Sequence, residues 1–197
     1  MLILLSSFAS ATIDWNNDVN MFLPLANVTN STTGLLDLTS NNNDGTAYNG
    51  VTFTNSSQNS FDFDGTGDYI STPTTLTNKF SISQWVKFNT VGATINSFYT
   101  TIETTDRDGF NFLKFNNNKL LMNIYKSNSA VDYIYSTKDD FAINTWYNIV
   151  LTYDTGVAKI YINGVSDANK TVVDFITNDF SLMIAKYRQN DITVEFI

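Results

Sequence analysis

The chain has 197 residues, a formal net charge of −8 at pH 7 and 14% aromatic side chains, which fits one domain with a sizeable core. Only 11 Lys and Arg residues stand against 19 Asp and Glu residues, so no surface for nucleic-acid phosphates is expected. The absence of His and Cys excludes disulfides, thiol chemistry, imidazole metal ligands and a Ser-His-Asp triad.

Residues 1–18 begin with a short apolar stretch that ends in the small residues Ala9, Ser10 and Ala11. This triplet is typical of a signal-peptide cleavage site, but no positive residue precedes the apolar stretch. Two interpretations stay open: a degenerate signal segment, or an apolar arm used in assembly. No apolar run approaches the roughly 18 residues that would span a bilayer, so no membrane span is predicted.

Residues 19–197 are predicted to form one domain of short strands separated by turns rich in Asn, Asp and Gly. Residues 80–88 alternate apolar and polar side chains, which places one face on a core. In that strand Gln84 interrupts the inward face, so either its amide has a buried partner or the register shifts, and Trp85 points the other way. The same alternation recurs over residues 147–153. Hairpin turns are predicted at residues 116–118, 154–156 and 163–164.

Four segments, taken in order, carry a family resemblance that covers roughly residues 19–187. They are Met21 to Thr46, similar to an opening strand and a D-x-S-G-N-G-N-D-G-T loop; Phe61 to Ile70, similar to F-D-G-x-G-D-Y-V; Phe80 to Lys87, similar to F-T-I-x-x-W-V-K; and Trp146 to Val165, similar to W-x-x-V-A-V-T-Y-D followed by Y-V-N-G. Together they resemble the LamG-like jelly-roll family of the concanavalin A-like lectin and glucanase superfamily. The resemblance implies an all-β fold, a two-sheet antiparallel β-sandwich.

The chain departs from this family pattern at two places. Ser40 and Asn42 stand where the family loop has Gly, and Asn tolerates a left-handed backbone better than Ser does. The family closes with a G-x-I-D-x-V-x-I-Y strand, whereas Asn190 to Ile197 lacks the Gly and shifts the alternation. We therefore expect the last strand of the 19–197 domain to be divergent or truncated.

Calcium is the candidate cofactor, because a hard cation binds carboxylate, amide and carbonyl oxygens of the kind that residues 37–45 supply. In the resembled family such a site uses the loop Asp and the Asp of the closing strand, which by position are Asp37 and Asp191. The alternative is that Asp37 and Asp44 are ordinary turn residues whose side chains bind their own backbone.

Carbohydrate binding uses aromatic faces and planar polar side chains, which four tyrosines beside Asn123 and Asn128 could supply. The candidate ligand residues are Tyr99, Tyr125, Tyr133 and Tyr135. Each could equally belong to a structural cross-strand pair. Trp85 and Trp146 are interpreted as core or sheet-packing anchors, because they fall inside the strongest strands.

The chain is not expected to be an enzyme. The glucanase branch of the resembled superfamily carries E-x-D-x-x-E, whereas the only two Glu residues, Glu103 and Glu195, are far apart in the chain and glycoside hydrolysis needs two close carboxylates. The first hypothesis is a carbohydrate-binding or adhesion module that recognises a glycan or glycoprotein outside the cell, on a cell surface or on a virion. The second is a structural protein that uses the sandwich and its amino-terminal arm for subunit contacts, as a homo-oligomer or fused to a larger assembly.

Overall fold

A computed structural model describes residues 21, 23, 35–55, 59–64, 66–92, 95–101, 109–126, 130–172, 181–186 and 193–196. These residues form strands and turns without any helix, so none of them belongs to a membrane-spanning helix. The predicted arm at residues 1–18 lies outside the described residues.

The described strands number fourteen. In chain order they are β1 (Thr46–Tyr48), β2 (Thr52–Asn55), β3 (Asn59–Asp64), β4 (Tyr69–Ser71), β5 (Lys79–Lys87), β6 (Asn96–Thr100), β7 (Gly109–Lys114), β8 (Leu120–Lys126), β9 (Ala130–Tyr135), β10 (Trp146–Asp154), β11 (Val157–Ile162), β12 (Val165–Thr171), β13 (Met183–Ile184) and β14 (Thr193–Phe196).

The strands form two seven-stranded sheets. Sheet 1 has the order β1-β4-β13-β6-β7-β8-β9, and sheet 2 has the order β12-β11-β10-β5-β14-β3-β2. Every strand pair within them is antiparallel. The predicted all-β, two-sheet antiparallel sandwich is therefore confirmed. A closing strand is present as β14, between β3 and β5, although its sequence departs from the family pattern.

Aromatic side chains fill the space between the sheets. The Phe80 ring of β5 lies 5.2 Å from the Phe110 ring of β7, which joins sheet 2 to sheet 1. Phe88, which is fully buried, has ring contacts with Phe98, Phe141 and Tyr147 at 5.9, 5.3 and 6.1 Å. Rings of this size bury the largest apolar area per residue, so this cluster supplies much of the hydrophobic stabilisation.

The predicted turns connect consecutive antiparallel strands. Asn118 (φ 63°), Gly156 (φ 85°) and Asn163 (φ 51°) adopt the left-handed backbone that Asn and Gly tolerate best. The turns join β7 to β8, β10 to β11 and β11 to β12. The three hairpin predictions are therefore confirmed.

Gln84 faces the core in an unbroken register. Strand β5 pairs residue by residue with β10, and Gln84 is 7% exposed. Neither atom of its amide has a hydrogen-bond partner within the described part of the chain. The structure therefore shows neither of the two predicted compensations, a buried partner or a register shift, and the amide carries the cost of desolvation.

We predict that Phe88→Ala lowers the free energy of unfolding by about 3–5 kcal/mol, because it leaves a cavity among three rings. Urea unfolding followed by circular dichroism measures this loss. Ile143→Ala is the control, since Ile143 is 50% exposed, and its effect should stay within about 0.5 kcal/mol. Equal losses in the two variants would contradict the assignment of Phe88 to the core.

A second prediction concerns Lys114, which is fully buried and whose Nζ donates to the Gly92 carbonyl at 3.3 Å. Burial lowers the pKa of Lys114 to about 8 from 10.5. Below pH 8 the ammonium is charged in both the folded and the unfolded chain, so the full cost of burying it is present. Above pH 8 the folded chain releases this proton before the unfolded chain does, so the free energy of unfolding rises up to about pH 10.5.

Lys114→Met should remove this dependence. We expect the variant to be more stable than the parent protein at pH 7, and the difference to shrink between pH 8 and 10.5. Chemical unfolding of both proteins at matched pH values measures the difference. The contribution of tyrosine ionisation is common to both proteins and cancels in that difference. A stability difference that does not change across this range would contradict the prediction.

Candidate functional site

Edge strand β9 presents two tyrosines on the outer face of sheet 1. Tyr133 and Tyr135 are 50% and 41% exposed, whereas Ile134 between them is 2% exposed and belongs to the core. The pleat of a strand sends alternate side chains to opposite faces, which explains this division. The two rings have centroids 6.5 Å apart and planes within 21° of parallel. They form a pair of solvent-accessible aromatic faces.

Tyr125 lies on the same face, one strand further into the sheet. Strand β8 pairs Asn123 with Tyr133 and Tyr125 with Val131, and directly opposed residues of antiparallel strands share a face. Tyr125 is half-buried. The structure therefore brings together three of the four predicted ligand residues, which we call the tyrosine surface: Tyr125, Tyr133 and Tyr135.

Tyr99 does not belong to the tyrosine surface. It is 7% exposed and packs in the hydrophobic core, where it pairs with Phe112 of β7. Burial raises the pKa of the Tyr99 phenol well above its usual range, because the phenolate would lose its hydration. Its structural role is the alternative that the sequence left open, and the ring does not face solvent.

Polar groups adjoin the tyrosine surface. The Asn123 amide Nδ2 donates to Asn111 Oδ1 at 2.6 Å, and both side chains are buried. At the sandwich edge, Lys170 Nζ donates to Asp132 Oδ1 at 2.9 Å and to the Tyr133 carbonyl at 3.3 Å. These contacts fix β9 against β12 and so hold the tyrosine pair in place. Asn128, the other predicted amide, lies outside the described residues.

The loop at residues 35–45 closes on itself through its own backbone. Leu35 and Gly45 exchange two backbone hydrogen bonds, at 3.1 and 2.8 Å. A Cβ at Gly45 would lie 2.9 Å from the Leu35 Cβ, so only glycine permits this approach. Asn42 has φ 53° and supplies the left-handed backbone expected there, whereas Ser40 is not in that region. The loop therefore closes without the two family glycines.

Asp37 organises this loop. Its Oδ1 accepts from the Thr39 backbone N–H at 3.0 Å, and its Oδ2 accepts from the Thr39 hydroxyl at 2.8 Å and the Asn43 backbone N–H at 2.9 Å. The Asp37 backbone N–H in turn donates to Asp44 Oδ1 at 2.8 Å. Asp37 is 8% exposed, and its carboxylate satisfies donors that would otherwise be buried without partners.

This arrangement does not fit a calcium site by itself. At least three of the four lone-pair positions of the Asp37 carboxylate already accept hydrogen bonds, whereas calcium needs six to eight oxygens. The described residues contain no group of three or more acidic side chains that could hold a metal ion. Asp191 lies outside the described residues, so the Asp37 and Asp191 calcium site stays a prediction.

Trp85 points away from the core, as the alternation of its strand predicts, so its interpretation as a core anchor is wrong. Trp85 is 45% exposed on the outer face of sheet 2, while its neighbours Gln84 and Val86 are buried. The period-two alternation of residues 80–88 is the signal that indicates this outward position. Trp146 is half-buried beneath Lys87, whose Nζ lies 5.1 Å from the ring centroid, so Trp146 does pack against the sheet surface.

Comparisons with known proteins agree with this architecture. A family model described as the Concanavalin A-like lectin/glucanases superfamily matches residues 64–194. No curated protein matches the chain by sequence.

Three solved structures show the same fold at low identity. A crystal structure of the botulinum neurotoxin serotype D binding domain has a TM-score of 0.69 and 16% identity, covering 90% of this chain and 46% of that chain. The serotype D ligand binding domain in complex with N-acetylneuraminic acid has a TM-score of 0.69 and 17% identity, with the same coverage. The carbohydrate binding module CBM66 from Bacillus subtilis has a TM-score of 0.53 and 15% identity, covering 77% and 91%. This chain spans about half the length of the toxin structures.

We predict that Asp37→Asn lowers the free energy of unfolding by about 1–3 kcal/mol, because the amide cannot accept from all three donors. Thermal unfolding should show this loss equally in calcium and in a chelator if the carboxylate acts only on its loop. A calcium-dependent stabilisation of the parent protein that the variant lacks would instead establish the calcium site. Asp139→Asn, an exposed position outside the loop, is the control and should leave stability unchanged.

Proposed function

This chain belongs to the concanavalin A-like lectin/glucanases superfamily, and from that premise we propose that it is a non-catalytic module that binds carbohydrate at its tyrosine surface. The observation that carries the proposal is the exposed pair of Tyr133 and Tyr135 rings on β9. A sugar ring has apolar C–H faces that stack on aromatic rings, and hydroxyl groups that bind the phenols at their edges.

The position of the pair supports recognition of a surface-bound glycan. Both rings are exposed on the outer face of the sheet, so a branched or tethered sugar reaches them without entering a closed cavity. The contacts of Lys170 with Asp132 and the Tyr133 carbonyl hold β9 before any ligand binds. A fixed platform loses little conformational entropy on binding, which favours affinity from a small contact area.

The absence of catalysis is part of the proposal. Hydrolysis of a glycosidic bond needs two carboxylates about 5 to 9 Å apart. The tyrosine surface consists of three phenols and contains no carboxylate, and Asp132 of strand β9 is paired with Lys170. The relatives of similar fold include a toxin binding domain and a carbohydrate binding module, which supports a binding role.

We propose that the module acts outside the cell, as an adhesion domain or on a virion surface, and that its partner is a glycan or glycoprotein. The similar serotype D toxin structure was solved with N-acetylneuraminic acid. For botulinum neurotoxin type C, another structure of similar fold, cell entry depends on interaction with two ganglioside molecules. Those sugars belong to those proteins, and they suggest which glycans to test first. The alternative assembly role depends on residues 1–18, which lie outside the described residues.

We predict that Tyr133→Ala combined with Tyr135→Ala weakens glycan binding by about 5- to 140-fold. Loss of two stacking faces removes roughly 1–3 kcal/mol of binding free energy, and each 1.4 kcal/mol corresponds to a factor of ten. A glycan array identifies the bound sugar, and calorimetric titration measures the change in Kd.

Tyr48→Ala is the matched control for this experiment. Tyr48 is 42% exposed on β1, at the opposite edge of the same sheet, and stacks on Tyr69 with centroids 4.7 Å apart. The control should keep the affinity of the parent protein, and all three proteins should unfold cooperatively. Unchanged binding by the double variant, or no binding of any arrayed glycan by the parent protein, would sink the proposal.

A further inference from the structure

Trp85 is an exposed indole near the centre of a sheet. It lies on β5, which β10 and β14 flank in sheet 2, and it is 45% exposed. Leaving an indole in water forfeits one of the largest hydrophobic gains available to a side chain. Gln84 and Val86 face the core, so the direction of Trp85 follows from the register and the ring cannot turn inward.

Polar groups lie beside this ring on β5 and β10. Asn148 is the cross-strand neighbour of Trp85. Its Nδ2 donates to the Gln84 carbonyl at 3.3 Å and its backbone N–H donates to Asn163 Oδ1 at 2.9 Å. Ser83, two residues along β5, is exposed and adds a hydroxyl on the same face.

Two residues further along β5, the Lys87 ammonium forms a cation–π contact on the same face. Lys87 Nζ lies over the Trp146 ring at 5.1 Å from its centroid, which orders the ammonium and the second indole together. The Trp85 face, as we name it, therefore consists of one open aromatic ring bordered by an amide, a hydroxyl and an ordered ammonium: Trp85, Asn148, Ser83 and Lys87.

These features favour a sugar ring as the occupant over a protein or a lipid. Protein and membrane contacts use contiguous apolar patches of several hundred square ångströms, whereas the residues two positions away on β5, Ser83 and Lys87, and the residue directly opposite on β10, Asn148, are polar. A single apolar ring with hydrogen-bonding groups around it matches the apolar face and the hydroxyl rim of one pyranose.

The Trp85 face and the tyrosine surface lie on opposite sides of the sandwich. Each faces away from the core on its own sheet, and two packed sheets are about 10 Å apart through a filled core. One sugar therefore cannot contact both. We propose that the Trp85 face is a second carbohydrate-binding site, which makes the module bivalent; this inference rests on the proposed function only for the class of ligand.

Bivalency would change how the module attaches to a surface. Two weak sites that engage neighbouring glycans act at the high effective concentration set by their fixed separation. The apparent affinity for a multivalent glycan surface should then exceed the affinity for a soluble oligosaccharide. With sites on opposite faces, the module would also link two separate glycan chains.

The test uses four proteins: the parent, Trp85→Ala, the double tyrosine variant, and the variant that combines all three substitutions. Each is titrated with lactose, sialyllactose and maltohexaose, followed by calorimetry and by tryptophan emission. We expect saturating sugar to change the emission of the parent and of the double tyrosine variant, and not of Trp85→Ala. We also expect Trp85→Ala to weaken binding at this site at least about tenfold.

Val165→Ala is the matched control, since Val165 is 69% exposed on β12 of the same sheet, and it should bind as the parent does. If Trp85→Ala keeps the sugar-induced emission change and the binding stoichiometry of the parent protein, the second site is overturned. Loss of all binding in the double tyrosine variant would also overturn it, while leaving the proposed function intact. Loss of sugar binding in Trp85→Ala, with binding kept in the double tyrosine variant, would support the site at Trp85 and contradict sugar binding at the tyrosine surface.

Two further outcomes bear on the occupant. Self-association that disappears in Trp85→Ala, with no response to any sugar, would identify the face as a protein contact and contradict the inference. A parent protein that binds none of the arrayed glycans and none of the three titrated sugars would contradict both the second site and the proposed function.

Discussion

The pairing register of the strands depends on the aromatic rings that pack between the two sheets. Phe80 contacts Phe110 across the sandwich, and Phe88 contacts Phe98 in the facing sheet. A strand that slipped by one residue would send these rings to solvent and bring polar side chains inside, so burial of the rings fixes each pairing. The same constraint fixes every side chain on the outer faces, where any ligand must bind.

Both candidate surfaces follow from this division of faces. On β9, Ile134 enters the core and leaves Tyr133 and Tyr135 outside; on β5, Gln84 and Val86 enter and leave Trp85 outside. The chain therefore builds its ligand surfaces on rigid strands whose inner faces are already committed to packing. This placement favours recognition of a fixed shape, because strands adjust their side-chain positions less than loops do.

The sequence predicts this architecture well because period two and Asn-Gly turns report directly on strands and hairpins. It fails where the alternation is interrupted. Strand β6 has a register shift between Ser97 and Tyr99, so Phe98 and Tyr99 are both buried in the core although they are adjacent in the chain. Because both residues are aromatic, the alternation of apolar and polar residues cannot reveal the bulge. For Trp85 the alternation predicts the outward direction correctly, but it cannot predict how much of that outer face other residues cover.

The role of Asp37 shows what residue type alone cannot decide. A carboxylate that accepts hydrogen bonds from its own turn and one that binds calcium use the same lone pairs, and both occur in loops rich in Asn, Asp and Ser. Only the positions of the donors distinguish them. Here Thr39 and Asn43 supply donors to the Asp37 carboxylate, so the loop closes with the charge already compensated by its own chain. A cation at this carboxylate would compete with those donors for its lone pairs, and any N–H group that it displaced would need another partner.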